Sequence, residues 1–508
     1  MEIRKGRYMG RKHDFLRLVV DKGPSAYKMK GVYLVTDQGD CLAERVQSAL
    51  SGGISAVQYR NKRINDPDRF SLGMEIKRLC SMAGVPFIVN DDPELARELK
   101  ADGLHLGQDD GDPVAARELL GPKKIIGVST HSMEEALRAE SAGADYIGYG
   151  AMYPTESKDV QHLPGPDGLA EVRAGIRIPI VAIGGINRTN AARVIDSGAD
   201  AIAVISTILG NREPALAAAE LSLLFNRKAE FPRGKVLTID GSDSSGGAGI
   251  QADLKTITLL GSYGASVITS LTAQNTRGVS GIHTPPPAFV AEQLDAVLSD
   301  ISVDTVKTGM LFSPEIIALV ADKLREFDRK IVVVDPVMSA KGGAALMERE
   351  AVTTLKERLI PRSYLLTPNI PEAEKLTGRV IADEEGMREA ARLLCRMGAR
   401  NVLIKGGHLP DGVAVDILFD GSGFTRFSVP RILTNNSHGT GCTFASAISA
   451  FLAQGEPLHA AITRAKEFIT AAIKFAQPMG KGRGPVNHFL AARETGPGTR
   501  DYGLGTRD

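Results

Sequence analysis

Residues 179–206 read PIVAIGGINRTNAARVIDSGADAIAVIS, two short apolar runs joined by a helical stretch. The same alternation recurs from residue 32 to residue 206, and each apolar run ends in polar or glycine residues. The runs are VYLVTD (32–37), SAVQYR (55–60), PFIVND (86–91), GLHLGQ (103–108), IIGVST (125–130), DYIGYG (145–150), PIVAIGG (179–185) and AIAVIS (201–206). Eight buried strands separated by helices predict a (β/α)8 TIM barrel better than an open doubly wound sheet.

The chain is longer than one barrel of this size. Its 508 residues are enough for two or three domains. The composition, 43% hydrophobic and 24% charged with a net charge of +1, is that of a soluble protein and favours neither nucleic acid nor an anionic membrane as a partner. The four cysteines are scattered, which indicates neither disulfides nor a zinc cluster. We therefore expect a cytoplasmic protein with small-molecule partners; the sequence does not fix the oligomeric state, and a homo-oligomer is one option.

A second α/β domain is predicted after the barrel. Candidate strands VLTID, ASVITSL, TVKTGML, KIVVVDPVM, SYLLTPN, NVLIKGG and AVDILF alternate with helical stretches from residue 235 onward, which predicts a doubly wound sheet. We expect a basic solvated extension over residues 1–28, the barrel over 29–225, a linker over 226–234, the second domain over 235–490 and a flexible tail over 491–508.

Polar residues gather where the barrel strands end, the catalytic face of this fold. VQYRNK places Gln58, Arg60 and Lys62 on alternate residues, so their side chains point to one side and suit a pyrophosphate. Asp91 and an acidic pair after the next strand, Asp109 and Asp110, could share Mg2+. The simpler alternatives are a charged loop facing water for the first group and helix caps for the acidic residues.

A phosphate position is predicted at the last two barrel strands. The pair Gly184 and Gly185 follows the seventh strand, where barrel loops often bind phosphate through backbone amides, although both could be ordinary turn glycines. The segment YPTESK adds Thr155, Ser157 and Lys158 after the sixth strand.

The ordered set VQYRNK, VND, HLGQDD, VSTHS, YPTESK, AIGGI and VIS resembles thiamine phosphate synthase over roughly residues 30–225. The resemblance implies condensation of hydroxymethylpyrimidine diphosphate with thiazole phosphate. It assigns the diphosphate to Gln58, Arg60, Lys62, Asn90, Ser129 and Lys158, of which Arg60 and Lys158 are catalytic. It assigns Mg2+ to Asp91 and Asp110. It assigns the thiazole phosphate to Thr155, Ser157, Gly185, Ile205 and Ser206. It also favours Asp110 over Asp109, and Ser157 stands where threonine is frequent in the family.

The second domain offers two glycine-rich turns. GSDSSGGAGIQADLKT (241–256) lacks the Walker pattern, and its Asp253 could simply complement a helix dipole. NSHGTGC (436–442) runs into a small-residue helix, so its amides would cradle an anion, and the dipole would lower the pKa of the Cys442 thiol. A lone cysteine is more often a small buried apolar residue, but its place in this turn favours a function. Asn369 and Glu372 suit nucleotide phosphate and Mg2+, with helix capping as the alternative.

These turns, with LTAQNT, KTGML, DPVM, TPNIPEAE, KGGH and GPVNH, resemble hydroxymethylpyrimidine/phosphomethylpyrimidine kinase of the ribokinase-like superfamily over 235 to about 490. The resemblance implies ATP as co-substrate. It places Gly241, Asp253, Gln274, Met310, Val337 and Cys442 around the pyrimidine, and Asn369, Glu372, Gly439, Thr440 and Gly441 at the nucleotide, with Cys442 as candidate general base.

Both resemblances together predict a bifunctional thiamine-biosynthesis enzyme, in which the kinase product is the synthase substrate. There are two alternatives: an enzyme with the same folds and another substrate, such as a pyridoxal-type kinase fused to another phosphate barrel, and a non-catalytic binder or sensor of thiamine precursors. The Gln58, Arg60 and Lys62 triplet and the glycine turn before Cys442 argue against the first. The presence of candidate metal and anion-binding residues argues against the second.

Overall fold

A computed structural model describes residues 29–62, 66–155, 163–339, 346–407 and 412–495. The basic extension, Ser157, Lys158 and most of the predicted tail lie outside these described residues. The described chain divides into two compact units. One, here called the barrel unit, comprises residues 29–38, 55–184 and 198–203; the other, here called the sheet unit, comprises residues 39–54, 185–197 and 204–495.

Eight strands close into a barrel in chain order, and the pairings from the second to the eighth strand are parallel. The strands are β1 (Gly31–Val35), β2 (Ile54–Tyr59), β3 (Phe87–Asn90), β4 (Gly103–Leu106), β5 (Ile125–Thr130), β6 (Tyr146–Gly150), β7 (Ile180–Ile183) and β8 (Ala201–Val204). Each coincides with one of the predicted apolar runs, so the barrel prediction is confirmed.

The segments between and after these strands form α1 (Leu42–Leu50), α2 (Arg69–Ala83), α3 (Pro93–Glu98), α4 (Pro113–Leu120), α5 (Met133–Ser141), α6 (Gly165–Gly175), α7 (Ala191–Asp196), α8 (Ser206–Leu209) and α9 (Pro214–Leu223). Several begin with a side-chain cap that the sequence supplies. Asp92 accepts a hydrogen bond from the Leu95 amide at 2.9 Å, and proline occupies the first turn of the same helix, where a missing N–H costs nothing.

The second architecture is a nine-stranded sheet in the order β11-β10-β9-β12-β13-β14-β15-β16-β17. Its strands are β9 (Lys235–Asp243), β10 (Tyr263–Asn275), β11 (Gly278–His283), β12 (Thr305–Thr308), β13 (Val332–Val334), β14 (Leu365–Leu366), β15 (Asn401–Lys405), β16 (Val413–Phe419) and β17 (Phe424–Pro430). The six strands from β10 to β15 in this order are parallel, and antiparallel strands complete both edges.

The helices of this part of the chain are α10 (Gly249–Leu259), α11 (Pro287–Leu298), α12 (Pro314–Glu326), α13 (Arg349–Thr354), α14 (Ile370–Thr377), α15 (Glu384–Arg396), α16 (Thr440–Ala453), α17 (Leu458–Lys474) and α18 (His488–Thr495). Short 3-10 turns cover Leu224–Lys228 and Ile360–Arg362, and a π-helical turn covers Leu355–Leu359. The first 3-10 turn falls at the start of the segment predicted as a linker.

Helices cover both faces of the sheet, as the doubly wound prediction requires. On one face α11, α12 and α15 bury Leu294, Val320 and Leu394 against the central strands. On the other face Ile257 of α10, Phe451 of α16 and Phe468 of α17 build a second apolar layer. The buried central strands therefore read as continuous apolar runs. Among the described helices, none is long and apolar enough to cross a membrane.

Helix α18 is fastened to α16 by a buried histidine. His488 is 6% exposed, and its Nε2 lies 2.9 Å from the Thr443 hydroxyl. Burial, with a smaller contribution from Lys255, lowers the pKa of His488 from 6.5 to about 4. Below pH 6.5 the His488 side chain binds a proton in the unfolded chain but not in the folded chain. Its contribution to the free energy of unfolding is therefore fully present above pH 6.5 and is lost as the pH falls towards 4.

We expect His488→Gln to remove this pH dependence, which amounts to at most about 3 kcal/mol. The free energy of unfolding of the sheet unit, measured by urea denaturation at pH 7.5 and at pH 5, should differ less in the variant than in the wild type. His459→Gln, which removes a side chain that is 51% exposed, serves as the control. Equal pH dependence in His488→Gln and wild type would contradict this role of His488.

Candidate active sites

The carboxyl ends of β2, β3 and β4 bring several predicted residues together. The Asp91 carboxyl lies close enough to the Asp110 and Asn90 side chains and to the charge of Lys62 for all three to affect its pKa. Asp91 has a φ of 63°, and its amide donates to the His105 carbonyl at 2.8 Å. Asp110 is held in turn by the Gly107 amide at 2.9 Å. The two carboxyls thus meet at the barrel mouth as the strand-end pattern predicts.

The contact between Asp91 and Asp110 fits a cation site. Burial, reinforced by the neighbouring Asp110, raises the pKa of Asp91 to about 6, although Asn90 and Lys62 act in the opposite direction. Two carboxylates in contact repel each other unless a proton or a cation lies between them. Mg2+ accepts one or two protein carboxylates and takes other ligands from substrate phosphates, so this pair suits it. The contact involves Asp110, which favours the choice of Asp110 over Asp109.

Gln58 and Ser129 are held from within the barrel. Gln58 is 4% exposed and donates through Nε2 to the Tyr33 hydroxyl at 3.2 Å. Ser129 Oγ lies 2.9 Å from His105 Nε2. Arg60 follows β2, and its amide donates to the Thr36 hydroxyl at 2.8 Å. Sequence reasoning did not select Tyr33 or His105, although both lie inside quoted strand motifs.

The predicted phosphate residues lie at the ends of β6, β7 and β8. Gly184 and Gly185 both have positive φ, 102° and 61°, and a Cβ at Gly184 would lie 2.5 Å from the Ala151 Cβ. Position 184 therefore requires glycine. Ile205 precedes and Ser206 begins helix α8, while Thr155 follows β6 at the edge of the described residues. Ser157 and Lys158 stay predictions, because they lie outside the described part of the chain.

A cavity of about 800 Å³ lies in the sheet unit. Its lining contains every predicted pyrimidine and nucleotide residue of this unit except one: Gly241, Gln274, Met310, Val337, Asn369, Glu372, Gly439, Thr440, Gly441 and Cys442. Asp335, Lys405 and His438, which sequence reasoning left without a role, line it as well. The strand ends and the start of α16 thus converge on one cavity.

The exception is Asp253, for which the predicted contact with the pyrimidine is wrong. Asp253 is fully buried in α10, where it accepts hydrogen bonds from Lys307 at 2.8 Å, Ser446 at 2.7 Å and Thr238 at 2.5 Å. Its position on the helix turns it towards α16 and the sheet instead of the cavity. The sequence pattern indicates a helix around Asp253 but not the direction in which this side chain faces.

Lys307 and two carboxylates form a buried ion cluster at the cavity wall, which Asp240 lines. Lys307 Nζ lies 2.5 Å from Asp240 and 2.8 Å from Asp253, and all three side chains are at most 2% exposed. Asp240 also accepts from the amides of Gly241 and Met310, both at 2.7 Å. Burial disfavours the ammonium, but the two carboxylates outweigh burial and raise the pKa of Lys307. Ligand atoms of Asp240, Asp253 and Cys442 come within 4.8 Å of one another, and Lys307 already supplies their cation.

The predicted lowering of the Cys442 pKa is wrong. Burial raises the pKa of this thiol well above its usual range, and the carboxylates of Asp240, Asp253 and Asp335 add to the effect, with Lys307 opposing them. The thiol at the start of α16 therefore keeps its proton at neutral pH. The helix dipole is outweighed because the cysteine is partly buried beside three carboxylates.

The turn before α16 depends on glycine. Gly439 has a φ of 79°, and a Cβ there would lie 1.8 Å from the Gly247 carbonyl oxygen. Asp243 of the first glycine-rich segment connects it to the second through hydrogen bonds. It accepts from His438 Nε2 of the second segment and from the Ala248 amide of its own segment, both at 2.8 Å. Burial alone would raise the pKa of Asp243, but hydrogen bonds from His438 and Ser245 lower it to about 2. Both predicted loops are therefore parts of one structure.

Asn369 and Glu372 form a capping box at the start of α14. Asn369 Oδ1 accepts from the Glu372 amide at 2.9 Å, and Glu372 Oε2 accepts from the Asn369 amide at 2.8 Å. The alternative that sequence reasoning left open is thus present, while both residues also line the cavity. Beside them Lys405 Nζ lies 2.7 Å from Asp335 Oδ1. Burial and Asp335 raise the pKa of Glu372 to about 7, against the effect of Lys405.

Comparisons with known proteins agree with this division. Residues 32–208 match the family described as thiamine monophosphate synthase, and residues 243–487 match phosphomethylpyrimidine kinase. The thiamine biosynthesis bifunctional protein ThiED of Geobacter sulfurreducens is 66% identical over 94% of this chain and 98% of its own length. The hydroxymethylpyrimidine/phosphomethylpyrimidine kinase of Bacillus subtilis is 51% identical over 51% of this chain and 97% of its own length. The solved ADP complex of Bacillus subtilis pyridoxal kinase is 40% identical, covering 51% of this chain and 98% of its own, with a TM-score of 0.48.

Proposed function

The chain belongs to the family of bifunctional thiamine biosynthesis proteins, and from this premise we propose the reactions of its two sites. The sheet unit phosphorylates hydroxymethylpyrimidine and then its monophosphate, using ATP. The barrel mouth joins the resulting diphosphate to thiazole phosphate, forming thiamine phosphate and pyrophosphate. The meeting of Asp91 with Asp110 at the barrel mouth and the glycine turn beside Cys442 are the observations that carry this assignment.

At the barrel mouth the departing diphosphate is the group that needs stabilisation. Arg60 and Lys62 follow β2 and supply two positive charges, and Lys62 lies close enough to affect Asp91. Asp91 and Asp110 would hold Mg2+, which when bound offsets negative charge on the leaving group. The resemblance adds Lys158 to the same group. Residues that bind the diphosphate more strongly as its bond breaks raise kcat as well as affinity.

In the cavity the first turn of α16 faces the transferring phosphoryl group. The amides of Gly441 and Cys442 belong to a helix N-terminus, whose first N–H groups have no partner within the helix. Such donors stabilise negative charge. Lys405, paired with Asp335, brings a cation to the same cavity. Asn369 and Glu372 are proposed to serve Mg·ATP from the start of α14, in addition to capping that helix.

The proposed function is tested in one reaction mixture. Purified protein, hydroxymethylpyrimidine, Mg·ATP and thiazole phosphate should yield thiamine phosphate. Asp91→Asn should lower synthesis from supplied pyrimidine diphosphate by about 10²-fold, because a metal ligand contributes several kcal/mol of charge stabilisation, while phosphorylation stays at the wild-type rate. The two rates are measured separately by chromatography of the products.

Asp109→Asn is the matched control, since it removes an exposed carboxylate next to Asp110 in the loop after β4. We expect near wild-type synthesis from it. A wild-type protein that binds both precursors but forms no product would be a sensor rather than an enzyme. Equal rates of thiamine phosphate synthesis in Asp91→Asn and wild type would contradict the role of Asp91 as a Mg2+ ligand. Cytoplasmic location and homo-oligomer formation stay predictions.

A further inference from the structure

A chain of hydrogen bonds runs through the interior of the barrel. It begins at Gln58 on β2, whose Nε2 donates to the Tyr33 hydroxyl on β1 at 3.2 Å. The Tyr33 hydroxyl lies 2.8 Å from the Tyr146 hydroxyl on β6, which lies 2.9 Å from His105 Nδ1 on β4. His105 Nε2 then lies 2.9 Å from Ser129 Oγ on β5. The chain therefore joins two residues assigned to the pyrimidine diphosphate.

The strands are shaped to hold this chain. Tyr33 and Tyr146 are at most 1% exposed and His105 is 8% exposed. A Cβ at Gly127 would lie 2.1 Å from the Tyr146 ring, and a Cβ at Gly148 would lie 3.0 Å from the His105 ring. The absence of a side chain at Gly127 thus gives the tyrosine its place, and Gly148 leaves room for the histidine. Barrel interiors are mostly filled by branched apolar side chains, so five linked polar groups call for a reason other than packing.

The centre of the chain is the Tyr146 hydroxyl. It carries one hydrogen and is bonded on both sides, so it donates to one neighbour and accepts from the other. The direction of the hydrogen bond between Gln58 and Tyr33 is fixed, because an amide N–H can only donate and the Tyr33 hydroxyl therefore accepts. This orients the Gln58 amide so that its Oε1 points away from Tyr33. At the Ser129 end the imidazole fixes the position of the hydroxyl oxygen.

We propose that Tyr33, Tyr146 and His105 are positioning residues of the synthase site. They orient the Gln58 amide and the Ser129 hydroxyl for a nitrogen heterocycle that carries hydrogen-bond donors and acceptors. This inference rests on the proposed synthase function. It goes beyond that function because none of the three residues is assigned to substrate, metal or leaving group.

Tyr146→Phe tests the proposal, since it removes only the central hydroxyl. We expect kcat/KM of synthesis from supplied diphosphate to fall about 10- to 100-fold, mostly in kcat, because misplaced groups at a reacting centre cost rate. Phosphorylation by the same sample should be unchanged. Tyr149→Phe is the matched control, because Tyr149 lies on the same strand and is 3% exposed but is not one of the five residues in the chain of hydrogen bonds. Both variants should melt at similar temperatures.

A double-mutant cycle separates positioning from general packing. If Tyr146 acts through Ser129, Tyr146→Phe should cost less than about threefold in a Ser129→Ala background. Tyr33→Phe, which breaks the chain at the Gln58 side, should also reduce kcat/KM at least about tenfold. It also serves as the test should Tyr146→Phe melt well below Tyr149→Phe.

Three outcomes have distinct meanings. Synthesis within twofold of the wild type in Tyr146→Phe and Tyr33→Phe overturns the proposal. An equal loss from Tyr146→Phe with and without Ser129, together with unchanged synthesis in Tyr33→Phe, also overturns it, because the effect would then pass through neither Ser129 nor Gln58. A wild-type protein that makes no thiamine phosphate from the supplied diphosphate and thiazole phosphate contradicts the proposed function itself.

Discussion

Replacing Lys307 with methionine is expected to destabilise the sheet unit by about 3–5 kcal/mol, the range for breaking a buried ion pair from one side. The substitution leaves the carboxylates of Asp240 and Asp253 beside each other with no cation, and both side chains are at most 2% exposed. Thr238, Ser446 and two backbone amides still donate to them, but these donors are neutral. Urea denaturation of the sheet unit measures the loss.

Lys474→Met is the control for losing a lysine charge. Its partner is Glu494 and its side chain is 58% exposed, so the expected loss is below about 1 kcal/mol. Adding Asp253→Asn to Lys307→Met should recover part of the stability, because an amide needs no cation. A Lys307→Met protein as stable as Lys474→Met would show that the cluster does not need its ammonium.

Cys442→Ser is expected to lower kcat of phosphorylation by about 10²- to 10⁴-fold, the usual contribution of a general base. The resting thiol is protonated, since burial raises its pKa. Cys442 can therefore act as a base only if ligand binding stabilises its thiolate form beside Lys307. A serine hydroxyl loses its proton less readily than a thiol, so it can hold the same place without accepting a proton. Steady-state kinetics with hydroxymethylpyrimidine and Mg·ATP measures the effect.

Cys395→Ser is the matched control, because Cys395 is a half-buried thiol of the same unit outside the cavity lining. Its phosphorylation rate should equal that of the wild type. Synthesis from supplied diphosphate should be unchanged in both variants. A Cys442→Ser protein within about threefold of the wild-type rate would limit Cys442 to hydrogen bonding and placement of the substrate.

The barrel and the central sheet were predictable because buried parallel strands are continuous apolar runs. The edge strands β11 and β17 were missed. β11 carries two glycines and β17 ends in proline, and most of their residues are exposed or half-exposed, so neither shows an apolar run. The meeting of Asp91 with Asp110 was predictable because adjacent parallel strands end at the same edge.

The interior contacts were not predictable in the same way. Tyr33, His105 and Tyr146 lie on three strands that are far apart in the chain, and only the closed barrel brings their side chains together. Lys307 stands inside the buried strand β12 (TVKT), where a lone charge gives no sign of its partners. A helix around Asp253 was predictable, but the face of α10 on which Asp253 lies depends on packing against α16.

Apart from Asp253, the residues assigned to the pyrimidine line the same cavity as the turn before α16, and this has a consequence for two successive transfers. The acceptor becomes longer by one phosphate after the first transfer, yet the donor side of the cavity stays where it is. The ring must therefore sit deeper on the second occasion, or tilt. A cavity that fitted the pyrimidine ring closely on all sides would allow only one phosphoryl transfer. Formation of the diphosphate therefore requires unoccupied volume behind the ring.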